Sequence, residues 1–421
     1  MPAPGAFGIS TLAFFTAHGK NGSDYLQVLG NVFMSNPGMM ALVQAVVFAL
    51  AQDEPVVRLR GNIHHSLAQF TNRKVGHVAF LGGSITEMEG YRPIVMAGLT
   101  KRFPQTKFTF TNAGVASTCS TTGAFRLQED VLAQGPVDLI FVEFAVNDDQ
   151  DAHHTRRDCI RGMEGIIRHL RAHNPACDIV MVHFANESML ATIAKGTEPT
   201  STGAHEEVAQ RHQIPSVHLV REVSKRIQNG SLTWATYGGV HPARPGNELA
   251  ANLVEKLLAN GWEVPSVASP EPHRVAEPID EFSYAHGRFL DNKLSVLGDG
   301  WSLSVPEWKI LKGDCRERFR KLPILHSDKP GSTLTVPFKG RSLGAYVLAG
   351  PDAGVAEVSV DGGPFKKIPL RHPYSGGLHY PRTVMLATDL ADGQHTAILR
   401  VGEPAQTGSG TAVRVVRLGT D

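Results

Sequence analysis

VAFLGGSITEMEG, residues 78–90, opens as an unbroken apolar run and then spills into two glycines, a serine and a threonine. An apolar run without polar alternation reads as a strand covered on both faces, the kind found in parallel sheets. Its end presents a hydroxyl, Ser84, on a turn nearly bare of side chains. Two glycines let the backbone bend sharply there, and the N–H groups of the helix that follows would lie beside the serine. Gly-Gly-Ser turns are common, so this stretch points to the fold but not, alone, to the chemistry.

The same alternation repeats downstream. A helical pattern over 91–103 (YRPIVMAGLTKRF) precedes the strand KFTFTNAG (107–114), a helix near 121–134 and the strand VDLIFVEFAVND (137–148). In RRDCIRGMEGIIRHLRAH (156–173), Cys159, Met163, Ile166, Ile167 and Leu170 recur at three- and four-residue spacing, which is the stripe of a helix. CDIVMVHF (177–184), the shorter strand PSVHLV (215–220) and the amphipathic helix GNELAANLVEKLLANG (246–261) complete the series. Apolar strands separated by helices predict an α/β domain with a parallel sheet covered on both faces. Ligands in such sheets bind outside the C-terminal strand ends. Residues 186–203 are the longest weakly patterned stretch, placed where a lid or substrate loop could sit, although a plain surface connection is commoner.

Beyond the Pro- and Ser-rich SVASPEPHRVAEP (266–278) the pattern changes to short β runs between Gly, Pro and Asp turns: STLTVPF, SLGAYVLAG, AEVSVDGGPFKKIPL, RTVMLATDL, HTAILRV and TAVRVVRLG. VDGGPF reads as a hairpin turn. The expected organisation is an N-terminal extension (1–60), an α/β domain (61–265), a linker (266–280) and an all-β, jelly-roll-like sandwich (281–421). A chain of 421 residues suits two domains.

Composition narrows the partners. Lys and Arg (41) nearly cancel Asp and Glu (40), so there is no basic field for nucleic acid. Cys119, Cys159, Cys177 and Cys315 form no CxxC pair, and the reading is buried or idle thiols. The His-His pairs at 64–65 and 153–154 lack HExxH spacing and read as incidental surface histidines. MMALVQAVVFALAQDEP (39–55) is too short to span a bilayer, which takes roughly 20 apolar residues. Two readings stay open for it. As a secretion signal, with Met39 or Met40 as the start and Ala49-Leu50-Ala51 as a cleavage site, it would send the protein to the periplasm or outside the cell. As an amphipathic helix packed on the domain or on a neighbouring subunit, it would leave the protein cytoplasmic and a homo-oligomer open.

Four stretches fall at strand ends and complement one another chemically. Ser84 is a candidate nucleophile. Gly114, in NAGVAST, could bring a backbone N–H to a bound oxygen, and Asn147, in AVNDD, could add a side-chain N–H. With the N–H of Ser84 they would form an oxyanion hole, the largest single term in much acyl-transfer catalysis. His241, in YGGVHPARPGN before the last helix, could act as general base and then protonate the leaving alcohol. Each has a plainer reading as a turn glycine, a capping asparagine or a surface histidine.

In that order the blocks resemble the GDSL/SGNH hydrolase superfamily, over roughly residues 76–261: FLGGSIT its nucleophile block, Gly114 its glycine block, AVND its asparagine block and GGVHP its histidine block. The resemblance implies a flavodoxin-like three-layer sandwich and cofactor-free ester hydrolysis. It also implies Ser84 as nucleophile, His241 as base, and Ser84, Gly114 and Asn147 as oxyanion donors. Gly83 stands where the family name has Asp, and Ala145 where Gly is usual. The weightier departure is Gly238, three residues before the histidine, where the family carries the Asp that orients the imidazole. A Ser–His dyad supported by a backbone carbonyl near Gly238 is the preferred reading. Asp148, Asp149 and Asp151 are the acids that could substitute, and a degenerate, non-enzymatic domain is the third reading.

The resemblance, with its appended β-sandwich, implies removal of short acyl groups, acetyl foremost, from a carbohydrate or a small ester, without a membrane partner. Trp301, Trp308, Tyr374 and Tyr380 are aromatics that could stack on sugar rings, although an aromatic in a sandwich is more often core. The competing expectation is a carbohydrate-binding or scaffolding protein with an inactive hydrolase domain. A phosphate cradle is disfavoured, since neither GxxxxGK[ST] nor GxGxxG occurs.

Overall fold

Strand β2 (Val75–Gly82) is the apolar run of the opening stretch, and it lies inside a six-stranded sheet. The computed structural model describes residues 55–263, 271–404 and 410–421. The segment 39–54 and residues 264–270, which include the start of the expected linker, lie outside them.

The sheet comprises β1 (Val57–Arg58), β2, β3 (Lys107–Gly114), β4 (Leu139–Glu143), β5 (Asp178–Val182) and β6 (Ser216–Val217), in the order β1-β6-β5-β4-β2-β3. The five strands from β2 to β6 are parallel and stand in the second-first-third-fourth-fifth order of flavodoxin-like sheets. The two-residue β1 adds an antiparallel edge. At two residues it is too short to carry a periodic pattern, so nothing in the sequence marked it.

Alternate residues of each strand feed opposite cores. Val78 and Phe80, Leu139 and Phe141, and Val180 and Val182 face one side, with Val95, Leu99, Val223, Val254 and Leu257 from the helices covering it. Ala79 and Leu81, Ile140 and Val142, and Ile179 and Met181 face the other, against Phe125, Met163, Ile166, Ile167 and Val208. Both faces are dry, which is why these strands read as continuous apolar runs. The helix Arg156–His173 starts at a capping box in which Thr155 and Asp158 satisfy each other's backbone N–H groups.

Residues 186–203 are largely helical rather than a loop. Asn186 caps the helix Glu187–Ala194 by accepting from the Met189 N–H at 2.9 Å, and Met189 and Ile193 are buried in the core. A second helix begins at Thr200. Small and polar residues on its outer face hid this stripe from periodicity.

The C-terminal part is built of two antiparallel sheets, one ordered Tyr380–Ala387, Leu343–Ala349, Val413–Thr420, Ile324–Ser327, Ser302–Ser304, the other Lys366–Pro369, Val355–Val360, Gly393–Val401, Thr333–Gly340, Val296–Leu297. Inward residues alternate along each strand, as with Leu334, Val336 and Phe338, or Ala397, Leu399 and Val401. Val355–Val360 and Lys366–Pro369 are joined by the hairpin read from VDGGPF. Its turn residues Asp361 and Gly362 both have positive φ. The sandwich lies on the helix Ser120–Asp130, where the backbones of Gly344 and Gly419 approach the Phe125 ring so closely that an added Cβ would sit about 3 Å from it.

Candidate active site

In this strand order the direction of winding reverses between β2 and β4, and a crevice opens at their carboxyl ends. Ser84 stands there, as the first residue of the short helix Ser84–Glu87, so its backbone N–H is one the helix does not use. The glycines before it are demanded by close approach. A Cβ at Gly82 would lie 2.3 Å from Thr86 Oγ1, and one at Gly83 only 2.0 Å from Asn147 Oδ1. Any side chain at position 83, including the aspartate of the GDSL pattern, would therefore collide with Asn147 where it stands here. His241 Nε2 is 2.8 Å from Ser84 Oγ, with Ser84 half-buried and His241 exposed. A nucleophile and base at hydrogen-bond distance are the geometric signature of covalent acyl transfer.

Gly114 and Asn147 converge on the same turn. A Cβ on Gly114 would reach 2.2 Å from the Glu87 N–H nitrogen, so the glycine brings β3 against the helix that Ser84 begins. Its own N–H, however, donates to Asn112 Oδ1 at 3.0 Å. Asn147 donates one amide hydrogen to Asp151, which leaves the second uncommitted. Of the three donors read from the sequence, Ser84 and Asn147 have a free N–H and Gly114 has one already engaged.

The histidine turn explains the missing acid. Gly238 has φ 106° and Gly239 φ 78°, both left-handed. A Cβ at Gly238 would meet Ala243 N at 1.9 Å, so an aspartate cannot occupy this turn. Among the described residues no hydrogen bond reaches His241 Nδ1, either from a carbonyl near Gly238 or from a carboxylate. The neighbouring acids are employed elsewhere. Asp148 accepts from the Ser120 N–H and hydroxyl and contacts His205 Nε2 at 2.8 Å. Asp149 accepts from Asn186 and Ser188. Asp151 accepts from Asn147; burial raises its pKa, and the charge of His241 is one of the influences opposing that rise.

Two charged residues beneath the site were not picked out from the sequence. Arg126, buried in the helix Ser120–Asp130, donates to the Gly82 carbonyl at 2.9 Å and the Ala113 carbonyl at 2.7 Å, clasping the ends of β2 and β3 together. Glu143, the last residue of β4, is fully buried and accepts from Thr86 Oγ1 at 3.1 Å. Burial pushes its carboxyl up to about 7. A glutamate ending so apolar a strand was visible in VDLIFVEF. An arginine that ties two carbonyls far apart in sequence leaves no local trace.

All four cysteines are free and buried. His64 is buried, and His154 Nδ1 lies 3.4 Å from Asp148, so neither is the surface histidine expected. Among the described residues, two groups could hold a metal ion, Cys119 with Asp148 and His154, and Asp148 with Cys159 and His205, each with ligand atoms within 4.8 Å of one another. Both depend on Asp148, whose oxygens are already taken by Ser120 and His205. Within the cluster, His154 Nδ1 and His205 Nδ1 are buried and have no hydrogen-bond partner among the described residues.

The sandwich borders this region. His372 Nε2 is 2.8 Å from the Asp151 carbonyl oxygen, and the His372 ring stacks on Tyr380 at 4.4 Å. Tyr380 (3% exposed) and Trp301 (6%) are core residues, and Trp308 is half-buried with its indole N–H on the Arg320 carbonyl. Tyr374, 51% exposed, is the remaining candidate for stacking, and it touches the His372 and Tyr380 rings.

The parallel sheet thus brings Ser84 and His241 together at its switch point. Residues 80–249 match the GDSL-like lipase/acylhydrolase family, and the chain is accordingly a carboxylic ester hydrolase carrying a GDSL/SGNH-type domain. By sequence alone, no curated protein matches it. The whole architecture is similar to that of a two-domain esterase active on acetylated mannans, at 21% identity and a TM-score of 0.71, covering 86% of this chain and 96% of the other. The same esterase co-crystallized with mannopentaose gives a TM-score of 0.69 at the same identity and coverage. At that identity the likeness establishes the two-part fold. No described helix is long and apolar enough to cross a membrane.

Proposed function

We propose that the protein removes short acyl groups, acetyl foremost, from a hydroxylated carbohydrate, with Ser84 as nucleophile and His241 as its base. The observation that carries this reading is the 2.8 Å contact between His241 Nε2 and Ser84 Oγ on the bare turn. Ser84 Oγ attacks the ester carbon while His241 takes its proton. The oxyanion so formed is held by the Ser84 N–H and the second Asn147 N–H, and Gly114 joins them where Asn112 gives way. His241 passes the proton to the departing sugar oxygen, leaving acetyl-Ser84. Water then attacks the same carbon, with His241 again taking and returning the proton, and acetate leaves.

The carbohydrate half of the proposal is supported by the shared two-part architecture and by Tyr374, an exposed ring of the sandwich packed on His372, which in turn contacts the Asp151 carbonyl. The competing reading, a carbohydrate-binding protein with an inactive hydrolase domain, is favoured by the unpartnered Nδ1 of His241. Acetate release from acetylated mannan and acetylated xylan, beside hydrolysis of p-nitrophenyl acetate, separates them. Acetate release from a polymer is expected. Release slowed by Tyr374→Ala, with p-nitrophenyl acetate turnover unaffected, would locate sugar contact on that ring. No turnover of any ester would favour the binding protein.

A further inference from the structure

The loop after β3 is held from outside the α/β part. Arg316, in the sandwich segment that leads into the short helix Glu317–Arg320, donates through Nη1 to the Ala116 carbonyl at 2.6 Å and through Nη2 to Ser117 Oγ at 2.9 Å. Ser117 has φ 68°, a left-handed conformation that strains a residue with a Cβ and persists only where its surroundings enforce it. Two residues further along the sandwich, Arg318 Nη1 donates to Glu87 Oε1 at 2.8 Å. The other oxygen of Glu87 accepts from the Ala116 N–H at 3.1 Å, and Glu87 closes the helix that Ser84 opens. Arg320 ties the same segment down through the Cys315 carbonyl at 2.7 Å.

The result is a closed ring of contacts joining the nucleophile helix, the loop beyond Gly114 and the sandwich. Glu87 links the first two, and the two arginines brace both. From this ring we infer that Arg316 is a positioning residue for acyl transfer, with Arg318 as its second brace. The sandwich then fixes the relative placement of the Ser84 turn and the Gly114 loop, in addition to whatever it does with substrate. This rests on the Ser84 mechanism proposed above. Among the described residues Arg316 makes no hydrogen bond to Ser84 or His241. It acts by keeping a strained loop where donors must meet an oxyanion, and a shift of about 1 Å there can cost on the order of 10²-fold in rate.

The test is steady-state kinetics with p-nitrophenyl acetate, too small to need the sandwich for binding, on the full chain and its Ser84→Ala, Arg316→Ala, Arg316→Lys and Arg318→Gln variants. Arg316→Ala is expected to lower kcat by about 10²-fold with KM nearly unchanged. Low-millimolar guanidinium ion is expected to restore part of the loss. Arg316→Lys is expected to recover little, because one ammonium cannot reproduce a planar fork spanning two acceptors. An unchanged kcat in Arg316→Ala overturns the inference, as does a loss that guanidinium leaves untouched. Should Arg316→Ala fail to fold, Arg318→Gln, at a more exposed position, decides: a fall of about tenfold in kcat sustains the inference and an unchanged kcat overturns it. If Ser84→Ala retains activity, the mechanism beneath the inference has failed instead.

Discussion

The two sides of the Ser84–His241 contact are built differently. On the serine side nearly every atom is secured: Arg126 clasps the ends of β2 and β3, Thr86 is bonded to the buried Glu143, Asn147 lies against Gly83, and Glu87 ties the helix to the neighbouring loop. The histidine side is a pair of left-handed glycines with an exposed ring whose Nδ1 meets no partner among the described residues. On the proposed mechanism, rigidity is concentrated where charge would develop in the transition state, and His241 is left to be oriented by Ser84 itself. Preorganised donors are what such a site can least do without, whereas a triad acid stabilises an imidazolium that here stays near solvent.

That contrast can be broken from either side. Asn147→Ala removes a donor from the rigid side, and kcat for p-nitrophenyl acetate should fall by about 10²–10³-fold with little change in KM. A loss of less than tenfold would mean the donors are not where the catalytic term lies. On the open side, Gly238→Asp restores the residue type other members carry, yet it should not raise kcat. Its Cβ meets Ala243 N and its φ is left-handed, so the variant should lose about 1–3 kcal/mol of stability in urea or thermal unfolding. A rise in kcat would show that the turn can rearrange to admit an acid.

The smallest effect concerns Glu143, whose carboxyl burial raises from 4.5 to about 7 in the folded chain. Between those two values the folded state holds a proton that the unfolded state has released. The stability associated with this residue is therefore complete below about pH 4.5 and is lost as pH rises towards 7. Glu143→Gln cannot ionise, so between pH 5 and 8 its stability should fall less than that of the wild type, by up to roughly 3 kcal/mol. Parallel stability–pH curves for the two proteins would contradict this assignment.

The α/β series and the sandwich were legible because period-two and period-3.6 patterns are local properties. The four candidate blocks could be picked out because a parallel sheet places its chemistry at strand ends, and each block is a contiguous stretch of a few residues. What stayed hidden is non-local. Arg316 reaches Ala116 across 200 residues of sequence, and nothing near either residue marks the pairing. The engagement of the Gly114 N–H by Asn112 was equally out of reach, since an Asn-X-Gly stretch reads as an ordinary turn. Gly238 was noticed as an absence. Only the positive φ and the approach of Ala243 show that the turn itself excludes the acid. His64 and His154 were misjudged because a polar residue is assumed exposed until a buried partner is known.

The most direct test of the Ser84 mechanism is mass spectrometry of enzyme quenched during the first turnovers of p-nitrophenyl acetate. A single acetyl group on the peptide containing Ser84, absent from Ser84→Ala and accompanied there by loss of turnover, is the expected result. An acetyl group on another residue, or undiminished turnover in Ser84→Ala, would contradict it.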